Sequence, residues 1–212
     1  MNIFRTPFFL PWFYPKLVWR IPAEEKIIYL TFDDGPVPGP TEYVLDILNR
    51  FNVKATFFCI GDNIKRHPDV FIRILNEGHV VANHTFNHLK GWSTELSTYV
   101  QNVKQCEEEL NAYKQTQFRK KLFRPPYGRI SRAQIKKLNE YDIVMWDVLT
   151  HDYNKTISPQ QCLAHSIKAT RPGSIIVFHD SLKAQRNMSF VLPQYINYFL
   201  DKGFTFGLLP NG

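Results

Sequence analysis

Two aspartates stand side by side in the stretch YLTFDDGPVPGP, Tyr29 to Pro40, at the exit of an apolar run. Adjacent carboxylates raise each other's pKa, so a buried pair needs a cation or a shared proton. Asp-Gly-Pro is also ordinary turn chemistry, and a solvated turn is the plain alternative. Further along, His84 and His88 are spaced i, i+4 in HTFNH, which on a helical turn puts both imidazoles on one face. HxxxH with a carboxylate from elsewhere is a usual zinc pattern, three protein ligands with one position left open. With a metal present the paired aspartates divide their labour: one neutralises the cation and its neighbour accepts a proton. The spacing leaves open which does which.

Arg124, in RPPYG, is the partner expected for the carboxylate that acts as base, because a fixed guanidinium keeps a carboxylate ionised and oriented. The two prolines after it stiffen the turn and leave the Tyr127 and Gly128 amides available to a developing oxyanion. His179 closes the run SIIVFH and is placed as a general acid. It needs a carboxylate to keep it protonated, and Asp152 is the choice. His151 lies in the loop beside these residues. His67, before Pro68, and His165, in a helical pattern, read as structural.

These residues need a scaffold that brings distant segments to one rim. Apolar, β-rich runs at 27–32, 54–60, 79–83, 121–124, 143–149, 174–179 and 204–209 alternate with helical patterns near 41–51, 62–76, 94–114, 131–140, 158–169 and 188–202. Ser131 with Gln134, and Ser158 with Gln161 behind Pro159, fit capping boxes. Strand then helix, repeated, predicts an α/β fold with a parallel sheet covered by helices, either a (β/α) barrel or an open doubly wound sheet. The polar residues cluster at the C-terminal ends of the strands: Asp33 and Asp34, His84 and His88, Arg124 and Tyr127, Asp147 and Asp152, His179 and Asp180. Parallel α/β folds build their sites at that end.

With 212 residues, 44% hydrophobic and 21% charged, the chain can bury a core as a single domain without disulfide staples. Its three cysteines form no CxxC pair, so neither a disulfide framework nor a cysteine zinc site is suggested. The net charge of +7 favours anionic partners, but no nucleic-acid-binding signature is present and no nucleic acid is expected. Residues 1–25 form an aromatic N-terminal extension broken by Pro7, Pro11 and Pro15. The prolines and the missing cleavage site argue against a signal peptide, and the segment is too short to span a bilayer. It is expected to pack on the domain's own surface, with peripheral membrane contact through residues 3–20 as the alternative. The location expected is cytoplasmic or peripheral to the membrane.

TFDDGP, HTFNH, RPPYG and a late apolar-x-His, in this order, resemble the polysaccharide deacetylases of the NodB-homology type, carbohydrate esterase family 4. The resemblance covers about residues 26 to 209. It implies a distorted (β/α)7-type barrel in a 26–212 catalytic domain. It also implies a divalent metal, usually Zn2+ with Co2+ as another option, and removal of N-acetyl groups from N-acetylglucosamine units of peptidoglycan, chitin or related glycans. By position it makes Asp33 the general base, and Asp34, His84 and His88 the metal ligands. Arg124 orients Asp33, the Tyr127 amide shares the oxyanion, and His179 is the general acid. The chain departs from the family in two places. The usual Asp-x-x-Asp-Trp reads LTHDY, with Leu149 for the first aspartate and Tyr153 for the tryptophan, and Val177 replaces a leucine. These departures bear on the acetyl pocket and the substrate. Two other readings remain: a deformylase or deacetylase of a lipid-linked amino sugar, and a silent carbohydrate-binding relative.

Overall fold

The computed structural model describes residues 2–113 and 121–209; Met1, the predicted helix end at Lys114 and the last three residues lie outside that range. β1 (Ile27–Asp33) is the hub of the sheet. β2 (Thr56–Cys59), β3 (Val80–Asn83), β4 (Lys121–Phe123) and β5 (Tyr141–Ile143) follow on one side of it, and β7 (Ile175–His179) then β6 (Val148–Leu149) on the other. β8 (Thr205–Phe206) pairs with the start of β1. Every one of these pairings is parallel. The sheet curls so that alternate residues face opposite ways. Ile28, Leu30 and Phe32 pack outward in the main hydrophobic core, while Tyr29 joins Phe58, Val80, Ala82 and Leu122 inside the barrel. Thr31 and Asp33 continue that inward face toward the strand's C-terminal end.

The covering helices are α2 (Pro40–Arg50), α3 (Gly61–Arg66), α4 (Pro68–Asn76), α5 (Leu96–Tyr113), α6 (Arg132–Lys137), α7 (Pro159–Ala169) and α8 (Gln185–Asp201). Both expected capping boxes are present, at Ser131 with Gln134 and Ser158 with Gln161. The single helix expected over 62–76 is two. Pro68 pushes His67 out of helical geometry, to φ −132 and ψ 57, and a new helix starts at the proline.

The run 143–149, expected as one strand, is also broken. β5 and β6 are consecutive in sequence yet lie at opposite ends of the sheet path. The chain leaves one edge after Ile143 and reaches the other at Val148, so the barrel is split between them. The N-terminal segment fills that seam. Thr6 N–H donates to the Asp147 carbonyl at 2.8 Å and Leu149 N–H to the Phe4 carbonyl at 2.9 Å. Further along, Val18 N–H donates to the Ile143 carbonyl at 2.9 Å and Met145 N–H to the Val18 carbonyl at 2.7 Å. The segment therefore packs on the domain's own surface, as its prolines and aromatics led us to expect. Between these two anchor points it rises into the short helix α1 (Leu10–Phe13), which buries none of its residues.

The segment is fixed a third time where Ile21 N–H donates to the Gly173 carbonyl at 3.0 Å. Gly173 has φ +79, and a Cβ there would collide with the Ile21 carbonyl oxygen. Gly173→Ala combines left-handed strain with that clash, and we expect it to cost about 3 kcal/mol, read as a lowered midpoint in urea unfolding.

Candidate active site

Five strand ends deliver the side chains of the site. Asp33 closes β1, His84 follows β3, Arg124 follows β4, Asp152 lies past β6, and His179 closes β7. Asp33, Asp34, His84, His88, Tyr127 and His179 line one cleft of about 450 Å³. Arg124 and Asp152 stand behind it, fully buried.

Arg124 is 0% exposed and lies over the Phe58 ring, its guanidinium carbon 4.0 Å from the centroid. One terminal nitrogen donates to Asp33 Oδ1 and to Thr31 Oγ1, both at 2.7 Å. Nε donates to the Val144 carbonyl at 3.1 Å, and the other terminal nitrogen to the Met145 carbonyl at 3.0 Å. Burial lowers the pKa of the guanidinium from its ordinary value, and Asp33 counters this by favouring the charge. The carboxylate of Asp33 is held by this fork and points along the inner face of β1.

Asp34 turns the other way. Its φ is +85, so the chain reverses direction between the two aspartates and their side chains diverge. Asp34 Oδ1 lies 3.2 Å from His88 Nε2 and 3.7 Å from His84 Nε2. One ligand atom from each of the three lies within 4.8 Å of the others. Burial alone would raise Asp34. The hydrogen bond from His88 and the nearby His179, His84 and His88 outweigh it and hold the carboxyl well below the usual carboxylate range. Burial depresses His84 to about 4, so its imidazole is neutral. Its Nδ1 lies 2.8 Å from the Arg124 carbonyl. A neutral ring must donate there, which leaves the Nε2 lone pair facing Asp34. An ionised carboxylate with a tautomer-fixed neutral imidazole and a second histidine is a donor set that fits a divalent cation.

The HTFNH segment is a loop, not the helical turn that the i, i+4 spacing suggested. Thr85 and His88 have φ of +65 and +56, and side chains brace the backbone that a helix would have satisfied internally. Asn83 Oδ1 accepts from Thr85 N–H at 2.9 Å, and Asn102 Oδ1 accepts from the Phe86 and Asn87 amides at 2.9 and 3.0 Å. The two rings still meet, with centroids 5.1 Å apart. Among the described residues, the non-glycine residues with positive φ are Asp34, Asn52, Thr85, His88, Tyr127 and His151, and all but Asn52 lie at or beside the cleft. Such conformations cost on the order of 1–3 kcal/mol each, and the surroundings must over-determine them.

His179 faces this group across the cleft. Asp152 Oδ1 lies 2.8 Å from its Nδ1, and Asp152 Oδ2 accepts its backbone N–H at 2.8 Å. Burial would lower the imidazole, but the charge and hydrogen bond of Asp152, with further help from Asp34 and Asp33, raise it to about 9. Tyr127, with φ +59, packs on the His88 ring at 4.6 Å. In its turn Gly128 N–H donates to the Pro125 carbonyl at 3.0 Å. The sequence offered both the Tyr127 and Gly128 amides as oxyanion donors, but the Gly128 amide is already committed within the turn.

Asp147 does not reach the cleft; it bonds Arg171 and Ser174 instead. His151 anchors the N-terminal segment, with Nε2 2.9 Å from the Ile3 carbonyl and its ring edge-on to Phe4. His165 also packs on Phe4, with ring centroids 4.9 Å apart. Leu149, Tyr153 and Val177, the three departures from the family pattern, all line the cleft. Asp180 had no assigned role. Its carboxylate accepts from Gly35 N–H at 3.0 Å and Thr41 Oγ1 at 2.6 Å, and burial raises it to about 7. A Cβ on Gly35 would run into that carboxylate, so the glycine after the paired aspartates permits the brace. Asn63 adds a second brace, donating to the Asp34 carbonyl at 2.7 Å. Asn83, Asn102 and Asn63 were not singled out in the sequence; the one visible signal was a polar residue, Asn83, ending an apolar strand.

A parallel barrel with a carboxylate–imidazole triad, an arginine-held aspartate and an aspartate-held histidine on one rim defines a metal-capable hydrolase site. Comparison with known proteins makes the class specific: the family model "Polysaccharide deacetylase" matches residues 20–146, and the chain belongs to that family. It is a hydrolase of the class that acts on linear amide C–N bonds. A peptidoglycan-N-acetylglucosamine deacetylase of Bacillus cereus is 36% identical over 193 residues, which cover 90% of this chain and 69% of that one. The peptidoglycan-N-acetylmuramic acid deacetylase PdaA of Bacillus subtilis is 33% identical, covering 87% of this chain and 70% of that one. The crystal structure of a peptidoglycan N-acetylglucosamine deacetylase in complex with 4-naphthalen-1-yl-N-oxidanyl-benzamide superposes with a TM-score of 0.87 at 33% identity, covering 97% of this chain and 95% of that one. These matches agree with the family and the distorted barrel expected from the motifs.

Arg124→Met would leave Asp33 as an uncompensated buried charge. We expect a loss of about 3–5 kcal/mol in denaturant unfolding at neutral pH, far more than for a surface arginine.

Proposed function

We propose that this protein removes N-acetyl groups from N-acetylglucosamine-containing glycans of the peptidoglycan or chitin type, using a divalent metal, Zn2+ first among the candidates. The observation that carries the reading is the divergence of the paired aspartates: Asp34 converges with His84 and His88, while Asp33 stands beside them, tied to Arg124. The relatives' names supply the class of substrate.

Asp34, His84 and His88 would hold the cation, which when bound would supply a more acidic water and a Lewis acid for the amide carbonyl. The chain's own residues do the rest. Asp33, oriented by Arg124, accepts the proton of the attacking water. The Tyr127 N–H donates to the oxyanion as the carbonyl carbon becomes tetrahedral. His179, protonated through Asp152, gives its proton to the departing amine, and acetate and a free amino sugar result. Leu149, Tyr153 and Val177 shape the wall against which the acetyl group rests. A second reading, a deformylase or deacetylase of a lipid-linked amino sugar, is favoured by one observation: an apolar groove of about 510 Å³, lined by Leu10, Tyr14 and Met145, continues from this cleft and shares Tyr127 and Leu149 with it. The full set of acid, base and ligand side chains disfavours a silent carbohydrate-binding role.

Acetate release from N-acetylglucosamine oligomers, with elemental analysis of the same samples, tests the reading. We expect His84→Ala to lose both the metal and the activity. We expect Asp33→Asn to retain the metal and lose roughly a hundredfold or more in kcat. Full activity in Asp33→Asn would remove the base from this scheme. A formyl or lipid-linked substrate turned over in place of the oligomers would favour the second reading.

The pH profile tests the acid. His179 is raised above its ordinary value, so it carries its proton below about 9 and loses it as pH rises through that value. We expect kcat to fall along that limb, and Asp152→Asn to move the limb to lower pH, because the carboxylate that holds the proton is gone.

A further inference from the structure

The proposed chemistry makes no use of the N-terminal knob. Phe8 and Trp12 are 77% and 78% exposed, with Phe9 and Phe13 beside them, also exposed. Their rings pack edge to face on one another, Phe8 on Phe9 and Trp12 and Phe9 on Phe13, with centroids 5.8 to 6.4 Å apart. This is an apolar cluster facing water, which folded monomers seldom display without a use. It is not a loose tail. Residues 4–6 are hydrogen-bonded along β6 and Val18 to the end of β5, so the cluster is held out on a fixed base.

We propose that this knob seats the protein on an anionic lipid surface. Charge complementarity selects that occupant. Residues 2–22 carry Arg5, Lys16 and Arg20 and no aspartate or glutamate. The groove beside Phe13 is lined by Lys16, Arg132 and Lys136 against a single acid, Asp142. Tryptophan and phenylalanine next to lysine and arginine are the chemistry of a headgroup–acyl boundary. No helix among the described residues is long and apolar enough to cross a membrane, so the contact is with one face of the bilayer. A second observation points the same way: the apolar groove that continues from the cleft is walled by Leu10 and Tyr14 of this same segment, so a seated knob turns one end of the groove toward the lipid.

Co-sedimentation of the full chain with phosphatidylcholine vesicles containing roughly one-third phosphatidylglycerol tests the proposal. We expect binding that weakens as salt is raised and that is absent on pure phosphatidylcholine. The triple variant Phe8→Ser/Trp12→Ser/Phe13→Ser should bind about tenfold more weakly or less, while its acetate release from a soluble oligomer and its thermal midpoint stay unchanged. Lys16→Glu/Lys136→Glu, which leaves the aromatics in place, should weaken binding as well. Failure of the unaltered protein to bind anionic vesicles overturns the proposal, as does undiminished binding of the triple variant. A dimer in light scattering that the triple variant converts to monomer, without vesicle binding, would show that a second copy covers the knob and would also overturn it.

Discussion

The buried pair between Arg124 and Asp33 is the joint on which the site turns. A guanidinium with no exposed surface is tolerated only if its donors are used, and four of its contacts go to Asp33, Thr31, Val144 and Met145. The same residue's carbonyl receives His84 Nδ1, which fixes the tautomer of a metal-capable imidazole. Its amide donates to the Asn83 carbonyl at 3.0 Å, tying β3 to β4. One side chain and its backbone thus orient the base, set the ligand beside it and hold the strand end where the barrel is split. Placing an ionised aspartate next to another carboxylate is unfavourable unless each has its own counter-charge. Here the fork serves one and the histidines serve the other.

Positions at the strand ends were legible in the sequence because they obey rules of period and place. An apolar run followed by Asp, His or Arg marks the carboxyl edge of a parallel strand, and Asp33, His84, Arg124 and His179 all come to one rim. The pairing of His179 with Asp152 also followed from chemistry alone, since a histidine meant to give a proton needs a carboxylate behind it. What was not legible was the backbone that carries these groups. The spacing of His84 and His88 matches a helix, yet the segment is a loop of left-handed residues held by asparagines whose partners lie far away in sequence. Local propensity sees a spacing; only the tertiary structure decides which backbone delivers it.

The same limit explains the two broken elements. Val144, Met145 and Trp146 are as apolar as their flanks, so periodicity runs the strand straight through. The split arises because the segment's partners are on opposite edges of the sheet, a fact of topology. Pro68 was a visible signal for the helix break, and its effect on His67 is local and steric. The role of Asp180 was hidden for a different reason. It braces Gly35 from the end of the neighbouring strand β7, and no sequence pattern connects residues so distant along the chain.

The strap across the β5–β6 gap ties the order of synthesis to the order of closure. Residues 4–21 are made well before Gly173 and the strand near Val148, and must wait for them before they find their partners. Contacts between segments so far apart in sequence carry a large loop-closure cost and form late. During that interval a row of aromatic side chains and two open sheet edges stand exposed, so the nascent chain has reason to depend on a chaperone or a nearby surface until Gly173 has been made.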